Sequence, residues 1–236
     1  GSVLEIIEQF AFAFTSINAI SIPSTVKTIG NNAFAYKTTL SDDDGVGGIS
    51  TVTFLGQNDD TSVLTSIGDY AFLGSALYEI LFPNSLISIG KYAFADCSGL
   101  QNIQFSNKLT TIEEGCFYMN SGLLSVTFPA SLIFIKDNAF ENCFDLKIIS
   151  FPSNSIVQEI GKKTFSGCEI KTITLPKTVR SIGNSCFLDC QSMTKILVPP
   201  DSELSYIGQD AFGTTKIAQC LIDPDVNGIV TIPANV

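Results

Sequence analysis

The pattern Ile-Gly-x-x-Ala-Phe returns nine times along this chain, with substitutions at its Gly and Ala positions. The copies are Ile7–Phe12, Ile29–Phe34, Ile67–Phe72, Ile89–Phe94, Ile112–Phe117, Ile135–Phe140, Ile160–Phe165, Ile182–Phe187 and Ile207–Phe212. Their spacings are 22, 38, 22, 23, 23, 25, 22 and 25 residues. A period of this length means a stacked solenoid, because one such unit cannot bury its apolar face alone. Residues 1–236 therefore read as a single array of about nine to ten coils, where length alone would suggest one or two globular domains.

Between signatures, an apolar–polar–apolar triplet recurs, with Leu at its centre twice: Ile20-Ser21-Ile22, Val52-Thr53-Phe54, Ile80-Leu81-Phe82, Ile103-Gln104-Phe105, Val126-Thr127-Phe128, Ile149-Ser150-Phe151, Ile173-Thr174-Leu175 and Ile196-Leu197-Val198. This is the alternation of a half-buried strand. Proline follows at Pro23, Pro83, Pro129, Pro152, Pro176 and Pro199, and ends each strand because it has no N–H for a ladder. One short parallel strand per coil is predicted. Of the 18 Phe, nine close the signature and five (Phe54, Phe82, Phe105, Phe128, Phe151) take the second inward strand position. Two stacked aromatic columns are expected. Gly follows the signature Ile six times, while Glu8, Glu113 and Lys136 stand there otherwise, so a strict positive-φ requirement is not expected.

The 38-residue step holds an insertion near 36–50, through Asp42-Asp43-Asp44-Gly45. Such insertions map to surface loops, often on a binding face. The tail is less regular: Cys220-Leu221-Ile222 fits the strand position, and an irregular joint is expected near 223–228. The chain ends mid-repeat without polar caps, which reads as a slice of a longer array.

A net charge of −10 argues against nucleic acid, which needs a basic stripe, and against anionic lipid. No stretch is long and apolar enough for a membrane span, and no signal peptide opens the chain as given. With no His, the commonest general base, the Ser-His-Asp and Cys-His arrangements and most catalytic zinc sites are removed. Scattered carboxylates without an evident cleft leave no catalytic candidate, and no cofactor or metal is called for. Asp42–Asp44 lacks the alternating ligands and distal Glu of a calcium loop and reads as a solvated acidic loop.

Seven Cys are present. Cys97, Cys143, Cys168 and Cys190 each fall three residues after a signature Phe, Cys116 and Cys186 just before one, and Cys220 in a strand. All read as inward-facing. They are either buried small hydrophobes or, for column neighbours such as Cys143–Cys168 and Cys168–Cys190, disulfide partners.

Most fully over residues 97–143, the pattern Leu-x-x-Ile-x-Phe-Pro-x-x-Leu-x-x-Ile-Gly-x-x-Ala-Phe-x-x-Cys resembles the BspA-like class of leucine-rich repeats. The resemblance implies a right-handed solenoid with a parallel sheet on one face and irregular or short helical turns on the other. Members occur in oral and gut bacteria and in parasitic protists. Where characterised, they resemble surface adhesins that bind host matrix proteins or other cells. The family has no fixed ligand residues to carry over.

What remains is surface. At roughly 4.8 Å per coil, the strand face is on the order of 45 Å long. Its outward row is Ser21, Thr53, Leu81, Gln104, Thr127, Ser150, Thr174 and Leu197, and a second row includes Ile148. The hydroxyls suit a solvent-facing strand; alternatively, Leu81, Ile148 and Leu197 anchor a protein partner. Two functional readings stand. One is a non-enzymatic module of a cell-surface or secreted adhesin that engages a host extracellular-matrix or cell-surface protein through the strand face and inserted loops. The other is an intracellular scaffold. A targeting appendage on a larger enzyme is a third, lesser one.

Overall fold

The computed structural model describes residues 3–40, 46–58, 60–217 and 219–222. The acidic run Asp42–Asp44 and the expected joint at 223–228 lie outside the described residues. The chain winds as a parallel β-solenoid whose strands pair only with those of neighbouring coils.

The predicted strands are present at Ala19–Ile22, Thr51–Phe54, Glu79–Leu81, Asn102–Gln104, Ser125–Thr127, Ile148–Ser150, Thr172–Thr174 and Lys195–Val198, with Gln219–Ile222 after them. Where the triplets predict one strand per coil, the structure has two. The signature Ile closes a second, two-residue strand in every coil, from Ile6–Ile7 and Thr28–Ile29 to Ser181–Ile182 and Tyr206–Ile207. Equivalent residues align without slippage, as in Phe134 with Thr111 and Ile135 with Ile112. Two residues are too short to reveal a period of two, so the pattern alone could not show this ladder.

After each signature Ile comes a run of turns. No helix occurs among the described residues, so the turns are of the irregular kind and the short helices admitted by the resemblance are absent there. The cause lies in where the amides go. Phe12 N donates to Ala33 O of the next coil at 2.8 Å, flanked by Phe10 N to Asn31 O at 3.1 Å and Phe14 N to Ala35 O at 2.8 Å. The same three bonds recur at all eight joints between successive signatures. Alternate amides are committed to the neighbouring coil, so no run of i→i−4 bonds can form. The fourth signature position sits at positive φ throughout, held by Phe10, Asn32, Tyr70, Tyr92, Gly115, Asn138, Lys163, Ser185 and Asp210. Only one of these nine is Gly, so the joint bonds hold side-chain-bearing residues in the left-handed region.

Gly at the second signature position has a different reason. Its φ is not positive, but a Cβ on Gly183 would lie 2.4 Å from Gly161 C, and one on Gly90 2.5 Å from Asp69 N. Close approach of adjacent backbones sets the preference.

Both aromatic columns form. Signature Phe rings stack from Phe12 to Phe212 with centroids 4.9–5.6 Å apart. Strand rings Phe54, Phe82, Phe105, Phe128 and Phe151 form the second column at 5.0–6.4 Å. The columns also touch edge to face, at Phe82–Phe94 (5.3 Å), Phe105–Phe117 (5.8 Å) and Phe128–Phe140 (5.7 Å). Each buried Phe contributes about 1.5–3 kcal/mol through area, and each favourable ring pair about 0.5–1.5 more. One continuous core results.

The insertion leaves the coil after Tyr36, whose amide still donates to Leu73 O at 2.8 Å, and returns by Gly47, which accepts from Ala76 N at 3.0 Å and donates to Gly74 O at 3.1 Å. The Tyr36 ring lies over Gly47, where a Cβ would come within 2.5 Å of Tyr36 Cζ. Beneath it, buried Lys37 reaches across the intervening coil to pair with Asp96 at 2.5 Å.

Candidate functional site

The outward row predicted from the triplets runs along the broader of the two strand faces. Ser21, Thr53, Gln104, Thr127 and Thr174 are exposed, whereas Leu81, Ser150 and Leu197 are half-buried. Leu197 stands in register between Thr174 and Leu221 in a three-strand ladder, and Leu81 lies beside Gln104. Long side chains in such a row lean on their neighbours, so neither Leu projects freely. Ile148 does: it is 59% exposed, and exposed Leu124 (47%) and Phe144 (53%) belong to the same two coils. Leu124 O accepts from Lys147 N at 3.0 Å, which fixes these segments side by side.

The broad ladder is not continuous. Its strands pair as 19–22 with 51–54, 79–81 with 102–104, 125–127 with 148–150, and 172–174 with 195–198 and 219–222. Two of the gaps carry clefts. One, of about 300 Å³, lies between Thr51–Phe54 and Glu79–Leu81 and brings Thr53 and Leu81 together with Gln57, Tyr78 and Glu79. Gln57 Oε1 is buried there without a partner among the described residues, and Tyr78 is exposed. The other, of about 640 Å³, gathers Ser150 and Thr174 with Phe151, Pro152, Ile156, Pro176 and Lys177. Lys177 pairs with Asp201 at its rim, 3.2 Å apart.

The triplet pattern misses Tyr78, Leu124, Phe144 and Ile156, which lie outside the triplets. One signal was present for the larger cleft. Nine positions separate Phe151 from Ile160 where seven separate Phe128 from Ile135, and the two extra residues fall in the lining segment.

The thiols are the strongest nucleophiles in the chain, and the six described ones are free and buried. Burial pushes the Cys143 and Cys190 thiols up to about 12 and the other four well above their ordinary value. A thiol held protonated is a poor nucleophile and a poor metal ligand. Four of them have another task. Cys97 donates to Phe72 O, Cys143 to Phe117 O, Cys168 to Phe140 O and Cys190 to Phe165 O, at 3.1–3.3 Å. Ser75 and Asn120, at the same repeat position, donate to Phe34 O and Phe94 O. The column is a ladder of donors across coil joints, and the disulfide alternative is not what the structure shows.

On the turn face, Tyr70, Tyr92 and Tyr118 line up, with rings 5.4 and 6.3 Å apart. Burial first, then the neighbouring Glu114 carboxylate, raises the Tyr92 phenol to about 12.

The sequence profile of the BspA type leucine rich repeat region, in 6 copies, matches residues 2–54, 59–157 and 118–232. No curated protein matches the chain. Among solved structures, a leucine-rich repeat protein from Bacteroides ovatus is similar at 23% identity and TM-score 0.65, over 92% of this chain and 58% of that one. The chain thus spans little more than half of that protein. A T. pallidum leucine rich repeat protein is 27% identical with TM-score 0.57, over 70% of each chain. The pneumococcal vaccine antigen PcpA is 20% identical with TM-score 0.55, over 92% of this chain and 67% of its own. With the profile covering nearly every coil of a solenoid built as described, the chain belongs to the BspA-type leucine-rich repeat family.

Proposed function

We propose that this array is a non-enzymatic protein-binding module of a cell-surface or secreted adhesin-like protein, engaging its partner through the broad strand face. The observation that carries this reading is the exposed apolar pair Ile148 and Leu124 on adjoining coils, with exposed Phe144 in the turn before Ile148. A few large apolar side chains amid polar neighbours are the usual anchors of a protein interface. Solenoids present such surfaces as extended, rigid platforms. PcpA's description as a vaccine antigen supports a surface location. So does a leucine rich cell surface protein from Faecalibacterium prausnitzii, 20% identical with TM-score 0.50 over 93% of this chain and 83% of its own.

The test is binding of the chain to extracellular-matrix proteins and to whole cells by surface plasmon resonance and flow cytometry, with Ile148→Asp alongside. Saturable binding to one of these, lost in the variant, is the expected result. Folded protein that binds none of them, or a variant that binds unchanged, defeats the proposal.

One observation favours a second reading as an intracellular scaffold: six buried free thiols suit a reducing compartment. Cysteines that stay reduced in protein secreted through an oxidising route would remove that objection.

A further inference from the structure

The smaller cleft of the broad strand face is shaped by a coil unlike the others. It lies inside the array, between the pair Ala19–Ile22 with Thr51–Phe54 and the pair Glu79–Leu81 with Asn102–Gln104. The facing edges of Thr51–Phe54 and Glu79–Leu81 form no ladder with each other, which opens the space between them. Thirteen positions separate Phe54 from Ile67, where seven separate Phe128 from Ile135. The extra residues build a loop whose neck closes where Thr61 N and Ser62 N donate to Gly56 O, at 3.0 and 3.2 Å. That loop carries Gln57 to the cleft.

The lining is polar, where small-molecule pockets are mostly apolar. Six of its eight residues bear a polar side-chain group, among them Thr51, Thr53, Gln57, Tyr78 and Glu79, and Leu81 adds an apolar patch. Gln57 Oε1 is buried there with no donor among the described residues, so the group that satisfies it comes from outside. Glu79 is exposed and makes no ion pair among the described residues. An ionised carboxylate only accepts. Tyr78, 55% exposed, supplies a ring with a hydroxyl at its tip.

A ligand matched to this set gives several hydrogens to oxygen acceptors, takes others from hydroxyls, and keeps an apolar face for Tyr78 and Leu81. A pyranose ring does all three, with hydroxyls around its edge and C–H groups across its face. A space of about 300 Å³ suits one such ring. The unpaired Glu79 carboxylate, on a chain of net charge −10, repels acidic sugars. We propose that this cleft binds a neutral sugar residue, with Tyr78 stacked on its face and Gln57 and Glu79 accepting from its hydroxyls. The site is separate from the strand-face protein contact at Ile148 and does not rest on it.

Saturation-transfer NMR on the full 236-residue chain tests this. The probes are the methyl glycosides of glucose, galactose, mannose and N-acetylglucosamine, with that of N-acetylneuraminic acid as the anionic comparison. At least one neutral glycoside is expected to bind saturably, with an affinity that salt leaves unchanged because the ligand carries no charge. Glu79→Gln and Tyr78→Ala, both at exposed positions, should each weaken that binding about tenfold. If Tyr78→Ala does not fold, Thr53→Lys fills the cleft from an exposed position, and the same loss is expected. Ile148→Asp, three coils further on, should leave sugar binding unchanged, so failure of either proposal is read separately. No transfer to any neutral glycoside, binding of the anionic one alone, or folded variants that bind like the parent would each overturn the proposal.

Discussion

The Cys143 thiol donates to the carbonyl of Phe117 across a coil joint at 3.2 Å, and it is the only donor which that carbonyl meets among the described residues. A residue readable as a small hydrophobe thus acts as a polar link. Replacing it by Ala leaves a buried carbonyl unpaired, which costs about 1–3 kcal/mol. Ser, which fills the equivalent place at Ser75, restores a donor. Urea unfolding should rank the parent above Cys143→Ser and Cys143→Ser above Cys143→Ala. An Ala variant as stable as the Ser variant would remove the bond from the account.

Alkaline pH should weaken the fold through the same groups. Burial raises these thiols, Cys143 to about 12 from an ordinary 9.0, so the folded chain keeps protons that the unfolded chain releases. Unfolding then releases protons, and stability falls as pH rises. The contribution is complete below about pH 9 and is lost progressively as pH climbs toward 12. Melting temperature measured from pH 7 to 11 should drop above 9, with a shallower slope in Cys143→Ser than in the parent.

Thiol labelling gives an independent reading. With six described cysteines buried, no more than one of the seven in the chain should react promptly with a thiol reagent under native conditions at pH 8. All seven should react in guanidinium. Several fast thiols in the native protein would contradict the packing.

Phe94 sits at the crossing of the two columns, 4.9 Å from Phe72, 5.6 Å from Phe117 and edge-on to Phe82 at 5.3 Å. Phe94→Ala should cost about 3–5 kcal/mol, because the surrounding rings cannot collapse into the void. Calorimetry should show the loss as a lower melting temperature, broadened if the halves of the array uncouple. Phe144→Ala, at an exposed site, serves as the comparison and should be near neutral.

Two glycines separate close approach from chance. Gly183→Ala places a methyl 2.4 Å from the backbone of Gly161, whereas Gly99→Ala meets nothing nearer than Leu77 O at 3.4 Å. The first should destabilise by about 1–3 kcal/mol through overpacking. The second should change chemical denaturation little. Equal effects would mean that backbone spacing does not select Gly at the second signature position.

The repeat, the two Phe columns and the inward strand triplets are all legible in the residue pattern, because each coil repeats one solution to the same burial problem. What fails to show there are features made by neighbours. The second ladder at Ile7, Ile29 and their equivalents is two residues long and leaves no alternation to read. Cys97, Ser75 and Asn120 share one job as small side-chain donors, but what each donates to, the carbonyl of the preceding coil's signature Phe, appears only once the coils meet. Among candidate surface residues, Ile148 is legible as an outward strand position. Leu81 and Leu197 are equally so, and their partial cover depends on who stands beside them.

Periodic apolar residues alone dictate that the chain must coil and stack, since burying a two-strand coil requires another coil against it. Side-chain pattern cannot specify where backbone amides go once coils meet. The direction of the joint bonds, the left-handed residues they hold and the gaps in the broad ladder arise from that meeting. Hydrogen-bond polarity is a property of main chains in register, and every residue type but proline carries the same donor and acceptor.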